Sequence, residues 1–232
     1  MYVANIYFIK RSLIDRFNNF IFILLIMFKK IFKNLEGKWK ELNLNEEAEQ
    51  DPEINFSDPD ECDKWLQELH RSYGVDYSYG GFLENRSFIW KDHYNVKDGL
   101  FIHEGADFNV PLGTEVFLFE EGEVVEIIRD TEMHGGWGNA IVFWIPKIEK
   151  YVIYAHMDQD LFVSSREKYP KGSKVGSVGS QDQNGHYFPH LHLQFMDKEF
   201  ASKYPQFLDV GGDSSKNSEM LQHLYDPVKF VK

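Results

Sequence analysis

His190-Leu191-His192 opens an apolar run that reaches Phe195, and this alternation restricts what the chain can become. Successive side chains of a β-strand point to opposite faces, so His190 and His192 project together while Leu191 and Leu193 project to the other side. Both imidazoles then face one site. A second cluster, His103-Glu104-Gly105-Ala106-Asp107, stands far upstream. His103 and Asp107 are four apart, a spacing that a helix would also align, but Gly105 between them and Pro111 beyond argue for a strand leading into a loop. A fold of this chain must bring the two clusters together. Three imidazoles and a carboxylate recur in these two clusters, and neutral imidazole plus a carboxylate is what a catalytic zinc ion takes when it keeps one position open for water, so the reading is a metallohydrolase. Packed together without an ion or a proton-transfer role, such groups would be desolvated and mutually perturbed, which is unfavourable. Any one of the nine histidines taken alone would read as a surface or satisfied core residue.

Tyr151-Val152-Ile153-Tyr154-Ala155 is β-branched and aromatic, reads as a strand, and ends at His156, which joins the set. Further short apolar or alternating runs cover Thr114 to Phe119, Glu123 to Arg129, Ala140 to Ile145, Lys174 to Val178 and His190 to Phe195, separated by Gly, Asp, Asn and Lys clusters. This is mainly β, antiparallel architecture. Glu121-Gly122 reads as a hairpin turn, and Gly135, Gly136 and Gly138 supply the backbone freedom of a tight loop beside a metal site. Upstream, Asp58-Pro59-Asp60-Glu61 reads as a helix start with Asp58 as N-cap and Glu61 completing a capping box. Cys62, Trp65, Leu66, Leu69 and Tyr73 form the apolar stripe of that helix, which is expected to pack against the β domain as an N-terminal helical extension. Residues 46–60 are acidic and polar and carry two prolines, so they read as a linker or loop. The expected organisation is a basic, hydrophobic segment over 1–35, an acidic linker and helix over 36–85, and the β domain that carries both clusters over 86–232.

A net charge of -12 argues against a nucleic-acid partner, because phosphates would be repelled and no basic patch stands in the catalytic half. The single cysteine, Cys62, excludes an internal disulfide framework and a thiolate zinc site. Phe20 to Phe28 is an uninterrupted apolar run, preceded by Lys10, Arg11 and Arg16 and followed by Lys29, Lys30 and Lys33. Three readings stand for it: an export signal without a small-residue cleavage site, a basic aromatic helix over residues 17–33 lying on a membrane surface, or an untranslated stretch ahead of a true start at Met27. The first two place the protein in the cell envelope or outside the cell, the third in the cytoplasm. The run is well short of the ~20 residues that span a bilayer. The chain is expected to act as a monomer.

Taken in order, His103 to Asp107 with Phe108, Pro111-Leu112-Gly113-Thr114, Gly122-Glu123-Val124-Val125, Gly135-Gly136-Trp137-Gly138-Asn139, Tyr154-Ala155-His156-Met157 and His190-Leu191-His192 resemble the lysostaphin-type, LytM-like zinc metallopeptidases. The resemblance covers about residues 86 to 232 and includes the closing Tyr225-Asp226-Pro227. It implies a β-sandwich with a groove over one zinc ion, with His103, Asp107 and His192 as the three ligands. His156 and His190 match the two catalytic histidines that do not bind the metal. The implied substrate is the peptide part of peptidoglycan, cut at a stem or cross-bridge amide. Alternatives are a non-catalytic LytM-like regulator of a cell-wall amidase and a zinc peptidase acting on another peptide. Glu104 beside His103 invites comparison with the His-Glu-x-x-His proteases, but no second histidine follows four residues after His103. It is expected to face solvent or to support the ligands. Leu193-Gln194 departs from relatives that often carry an aromatic and an acidic residue there. His134 and His186 read as loop residues, and His70, His93 and His223 fall outside every motif.

Overall fold

The computed structural model describes residues 27–91, 101–131, 135–203, 206–207 and 219–232. Its strands are β1 (Trp39–Glu41), β2 (Tyr77–Gly80), β3 (Ala106–Asn109), β4 (Glu115–Phe117), β5 (Gly122–Arg129), β6 (Asn139–Ile145), β7 (Lys150–Met157), β8 (Lys168–Tyr169), β9 (Lys174–Ser177), β10 (Leu191–Met196) and β11 (Leu224–Tyr225). One large sheet runs β1-β2-β3-β10-β7-β6-β5-β8, with β11 added to β10, while β4 and β9 form a separate two-stranded ribbon. β1 and β2 run parallel and the remaining pairs antiparallel, so the sheet is mixed where antiparallel pairing throughout was expected. Short helices α1 (Leu44–Ala48), α3 (Lys198–Ser202) and α4 (Val228–Val231) flank a longer α2 (Pro59–Tyr73).

Alternation within the strands sorts the core. On β6, Ile141, Phe143 and Ile145 join one hydrophobic cluster, whereas Ala140 and Val142 join another on the opposite face. A strand buried on both faces reads as continuous apolar sequence, which is why Ala140 to Ile145 shows no polar partner set. On β10, Leu191, Leu193 and Phe195 turn to the first cluster, leaving His192 and Gln194 for the other face, with His190 just ahead of the strand. The ribbon contributes Val116 and Val175 to the first cluster. Glu121-Gly122 is not a hairpin turn, because β4 pairs with β9 and β5 pairs with β6 and β8. Gly122 is instead a site of close approach, where a Cβ would lie 2.6 Å from Ile145 Cδ1.

The stretch upstream of residue 86 supplies more than a linker and a helix, since β1 and β2 extend the main sheet from β3. Asp58 caps α2 by accepting from Asp60 N and Glu61 N, Pro59 fills the first turn, and Gly74 closes the helix in the left-handed conformation. The reciprocal half of the capping box does not form. Asp58 N donates to Asn55 O, and the Glu61 carboxylate accepts from Asn55 N at 3.0 Å instead. Cys62, Trp65 and Leu66 pack with Leu44, Phe56, Ile89 and Phe188 in a second cluster, whereas Tyr73 is exposed and donates to Glu47. Burial pushes the Cys62 thiol up to about 12, so it is an inert apolar residue.

Met27, Phe28, Ile31 and Phe32 are buried in the first cluster, and residues 1–26 lie outside the described residues. Phe28 meets the rings of Trp39, Tyr79 and Phe108 edge-on at 4.8, 4.8 and 4.9 Å. Among the described residues no helix is long and apolar enough to cross a membrane. Truncating Phe28 removes an aromatic side chain from a fully packed position, so Phe28→Ala is expected to cost about 3–5 kcal/mol in denaturant unfolding. Asp58→Ala is expected to cost only about 1 kcal/mol, the value of one N-cap. A Phe28→Ala effect no larger than that of the cap would refute the assignment of residues 27–32 to the core.

Candidate metal centre

Sheet register brings the two distant clusters into contact. On β3 and β10 His192 stands opposite Asp107, flanked by the Leu191–Phe108 and Leu193–Ala106 pairs. Ala106, Phe108, Leu191 and Leu193 are core residues, so Asp107 and His192 share the outer face. His103 enters from the chain just before β3. Its Nε2 lies 2.9 Å from His192 Nδ1 and 3.3 Å from Asp107 Oδ1, while His192 Nδ1 and Asp107 Oδ1 are 3.0 Å apart. All three side chains are buried.

Ring orientation follows from the backbone. His103 Nδ1 donates to Gly81 O at 2.9 Å, leaving a lone pair on Nε2 in the neutral ring. His156 Nδ1 donates to Asn184 O at 2.7 Å and His190 Nδ1 to Phe188 O at 2.8 Å, so each of these Nε2 atoms is likewise free to accept. His190 Nε2 is 3.7 Å from Asp107 Oδ1, and the rings of His156 and His190 are 4.5 Å apart. Glycines make the close packing possible. A Cβ on Gly105 would lie 2.5 Å from His192 Nε2, and one on Gly81, whose φ is +93°, would lie 2.3 Å from the Arg86 guanidinium and 2.7 Å from His103 Nδ1. His156 itself holds φ at +64°, an uncommon conformation for a residue with a Cβ and one that clusters at functional sites.

Burial lowers the pKa of all four imidazoles, which keeps them neutral. The effect is largest at His156, where burial acts with His190 and His192 to hold the ring well below the ordinary imidazole range. Burial alone would raise the Asp107 carboxyl, but His103, Arg86 and His190 outweigh it and hold the group well below the usual carboxylate range. Arg86 Nη1 donates to Asp107 Oδ2 at 2.5 Å, so one carboxylate oxygen is spoken for and the other faces the two rings.

The donor set fits a cation. Three lone-pair atoms meet within 3.3 Å, and a single proton on His192 Nδ1 cannot satisfy both His103 Nε2 and Asp107 Oδ1. His192 Nε2 is buried without a partner among the described residues. Ligand atoms about 2.0–2.2 Å from a tetrahedral zinc are roughly 3.3 Å apart, close to the edges of this triangle. Among the described residues these three side chains are the group that can hold a metal ion.

A cleft of about 450 Å³ opens over the triangle, floored by His103, Asp107, His156, His190 and His192 and walled by Trp90, Trp137 and Tyr187. His186 lines it as well, whereas His134 and His93 lie outside the described residues. Glu104 does not face solvent: it is buried and accepts from Gln194 Nε2 at 3.3 Å. His70 is buried away from the centre against Ser78, and His223 pairs with Asp197. Gly138 and Asn139 hold the neighbouring loop, with Asn139 donating to the carbonyls of Met157 and Gln183. Sequence reasoning passed over Arg86 and the carbonyls of Gly81, Phe188 and Asn184. Only the fold brings these groups to the rings.

The catalytic domain of the antimicrobial peptidase lysostaphin from Staphylococcus simulans is similar at 24% identity over 60% of this chain and 84% of that one, with a TM-score of 0.41. A zinc-containing peptidase from Vibrio cholerae is 24% identical over 44% of this chain and 29% of its own, with a TM-score of 0.37. The catalytic domain of a mutant of the prophage-encoded M23 protein EnpA from Enterococcus faecalis is 22% identical over 42% of this chain and 69% of its own, with a TM-score of 0.36. A comparison with the curated proteins finds no match. Residues 101–203, which carry all five of His103, Asp107, His156, His190 and His192, match the model of Peptidase family M23.

Proposed function

We propose that the protein is a zinc-dependent endopeptidase that hydrolyses peptide amides of peptidoglycan, in the stem or the cross-bridge. The observation that carries this reading is the triangle of His103 Nε2, Asp107 Oδ1 and His192 Nδ1 beside two further imidazoles whose Nε2 atoms are held open. His103, Asp107 and His192 would hold one zinc ion, which lowers the pKa of bound water from about 15.7 toward about 7 and polarises a carbonyl. We read the ribbon β4–β9 as the second layer of a LytM-like sandwich.

His156 and His190 then move protons. Each ring keeps its proton on Nδ1 through a backbone carbonyl, and each is neutral because burial disfavours the imidazolium. An Nε2 lone pair takes the proton of the attacking water, and the resulting imidazolium returns it to the leaving amine nitrogen as the amide bond breaks. A protonated ring beside the tetrahedral oxyanion also stabilises its charge. Asp107, 3.7 Å from His190 Nε2, favours the proton-carrying form of that ring. Trp137 and Tyr187 narrow the cleft around the reacting amide. A peptidoglycan substrate sets the site of action outside the cytoplasm, in the cell envelope or beyond it.

Purified protein is expected to carry one zinc per chain and to solubilise purified cell-wall sacculi, with activity lost on chelation and restored by zinc. His103→Ala and Asp107→Ala should abolish zinc binding. His156→Ala should retain zinc and lose roughly 100- to 10,000-fold in turnover. Loss of zinc from His156→Ala would overturn the division between ligands and proton carriers. Zinc loading with intact sacculi, and cleavage of an unrelated peptide, would reassign the substrate.

A further inference from the structure

Arg86 lies outside the matched family segment, yet it is buried and its Nη1 donates to Asp107 Oδ2 at 2.5 Å. Its second terminal nitrogen, Nη2, reaches Glu84 Oε2 at 3.5 Å, and Glu84 Oε1 in turn accepts from Asn45 N, in the first turn of α1, at 2.7 Å. The guanidinium also lies over the Trp90 ring, 5.2 Å from its centre. Backbone pairing sets this arrangement: Arg86 N donates to Phe101 O and His103 N donates to Glu84 O. Glu84, Arg86 and His103 therefore share one local ladder, and the absence of a side chain at Gly81 leaves room for Arg86 and His103 together.

We propose that Arg86 is a positioning residue for the metal centre, which fixes Asp107 so that only Oδ1 is offered to the ion. The inference rests on the reading of the triangle as a zinc site. A carboxylate free to turn can present either oxygen or both, whereas a guanidinium nitrogen bonded to Oδ2 removes that choice. Positive charge beside a cation site would oppose metal binding, and Glu84 offsets it. The relay from Asn45 through Glu84 and Arg86 makes the N-terminal extension part of the centre's construction. Groups that orient metal ligands typically change metal affinity by roughly 10- to 100-fold when removed.

Zinc affinity of the full chain, measured by competition with a chelating dye, tests this. R86Q and R86K are expected to bind zinc roughly 10- to 100-fold more weakly than the wild type, with R86K no better than partly restored because an ammonium lacks the planar fork. Cobalt-loaded R86Q is expected to show a changed visible spectrum with lower absorptivity, the signature of a fifth ligand oxygen. Circular dichroism of the metal-free variants separates these effects from misfolding. If neither Arg86 variant folds, E84Q carries the test, since it leaves the guanidinium charge with Asp107 as its one carboxylate partner among the described residues and should weaken zinc binding in the same direction. Folded variants with wild-type zinc affinity and an unchanged cobalt spectrum overturn the role of Arg86. A wild-type chain that binds no zinc overturns the metal reading itself and this inference with it.

Discussion

The pairing of β3 with β10 is the constraint on which the rest depends. Asp107 and His192 come from distant parts of the chain and meet because Ala106, Phe108, Leu191 and Leu193 must all turn into the same core. A slip of one residue on either strand would expose two apolar side chains and bury the carboxylate or the imidazole on the wrong side. Hydrophobic alternation therefore does the geometric work of assembling the centre. Polar groups that are expensive to bury are brought together by apolar groups that are favourable to bury.

Within that frame three of the four rings are each aimed by a backbone carbonyl, while His192 meets the side chains of His103 and Asp107. Gly81, Asn184 and Phe188 accept the Nδ1 protons of His103, His156 and His190, so tautomer and orientation are fixed by loops anchored on the sheet. The left-handed backbone at His156 belongs to the same arrangement, because it occurs where β7 ends and its N–H and C=O bond to Trp137 and Gly179. Strain of about 1–3 kcal/mol at such a residue persists only where the surroundings over-determine it.

The structure gathers the five histidine and aspartate positions that the sequence singled out around one cleft; strand alternation reports that His190 and His192 share a face, whereas the grouping of all five came from the order of motifs resembling a known family. β5, β6, β7 and β10 were legible from their apolar or alternating runs, to within a residue or two at each end. Glu121-Gly122 misled, since a glycine between two strands looks alike whether it turns the chain or merely admits Ile145. β1 and β2 were hidden, because three or four residues with aromatic and charged side chains carry no period that distinguishes an added strand from a linker. Arg86 was hidden for a different reason. An arginine is ordinarily solvated, and only the tertiary fold reveals a carboxylate on one side of it, a second on the other, and a tryptophan over its face.

A domain ending at the family boundary would lack β1, β2 and the aromatic cluster of Phe28, Trp39 and Tyr79 that packs on Phe108. Phe108 stands beside Asp107 and opposite Leu191, so loosening its packing loosens the register that brings Asp107 to His192. From the polar side Arg86 reaches the carboxylate of Asp107, and is itself backed by Glu84, which accepts from Asn45 N. Asp107 is thus held twice by residues upstream of its own family segment, once through the core beneath it and once through the ion pair above it.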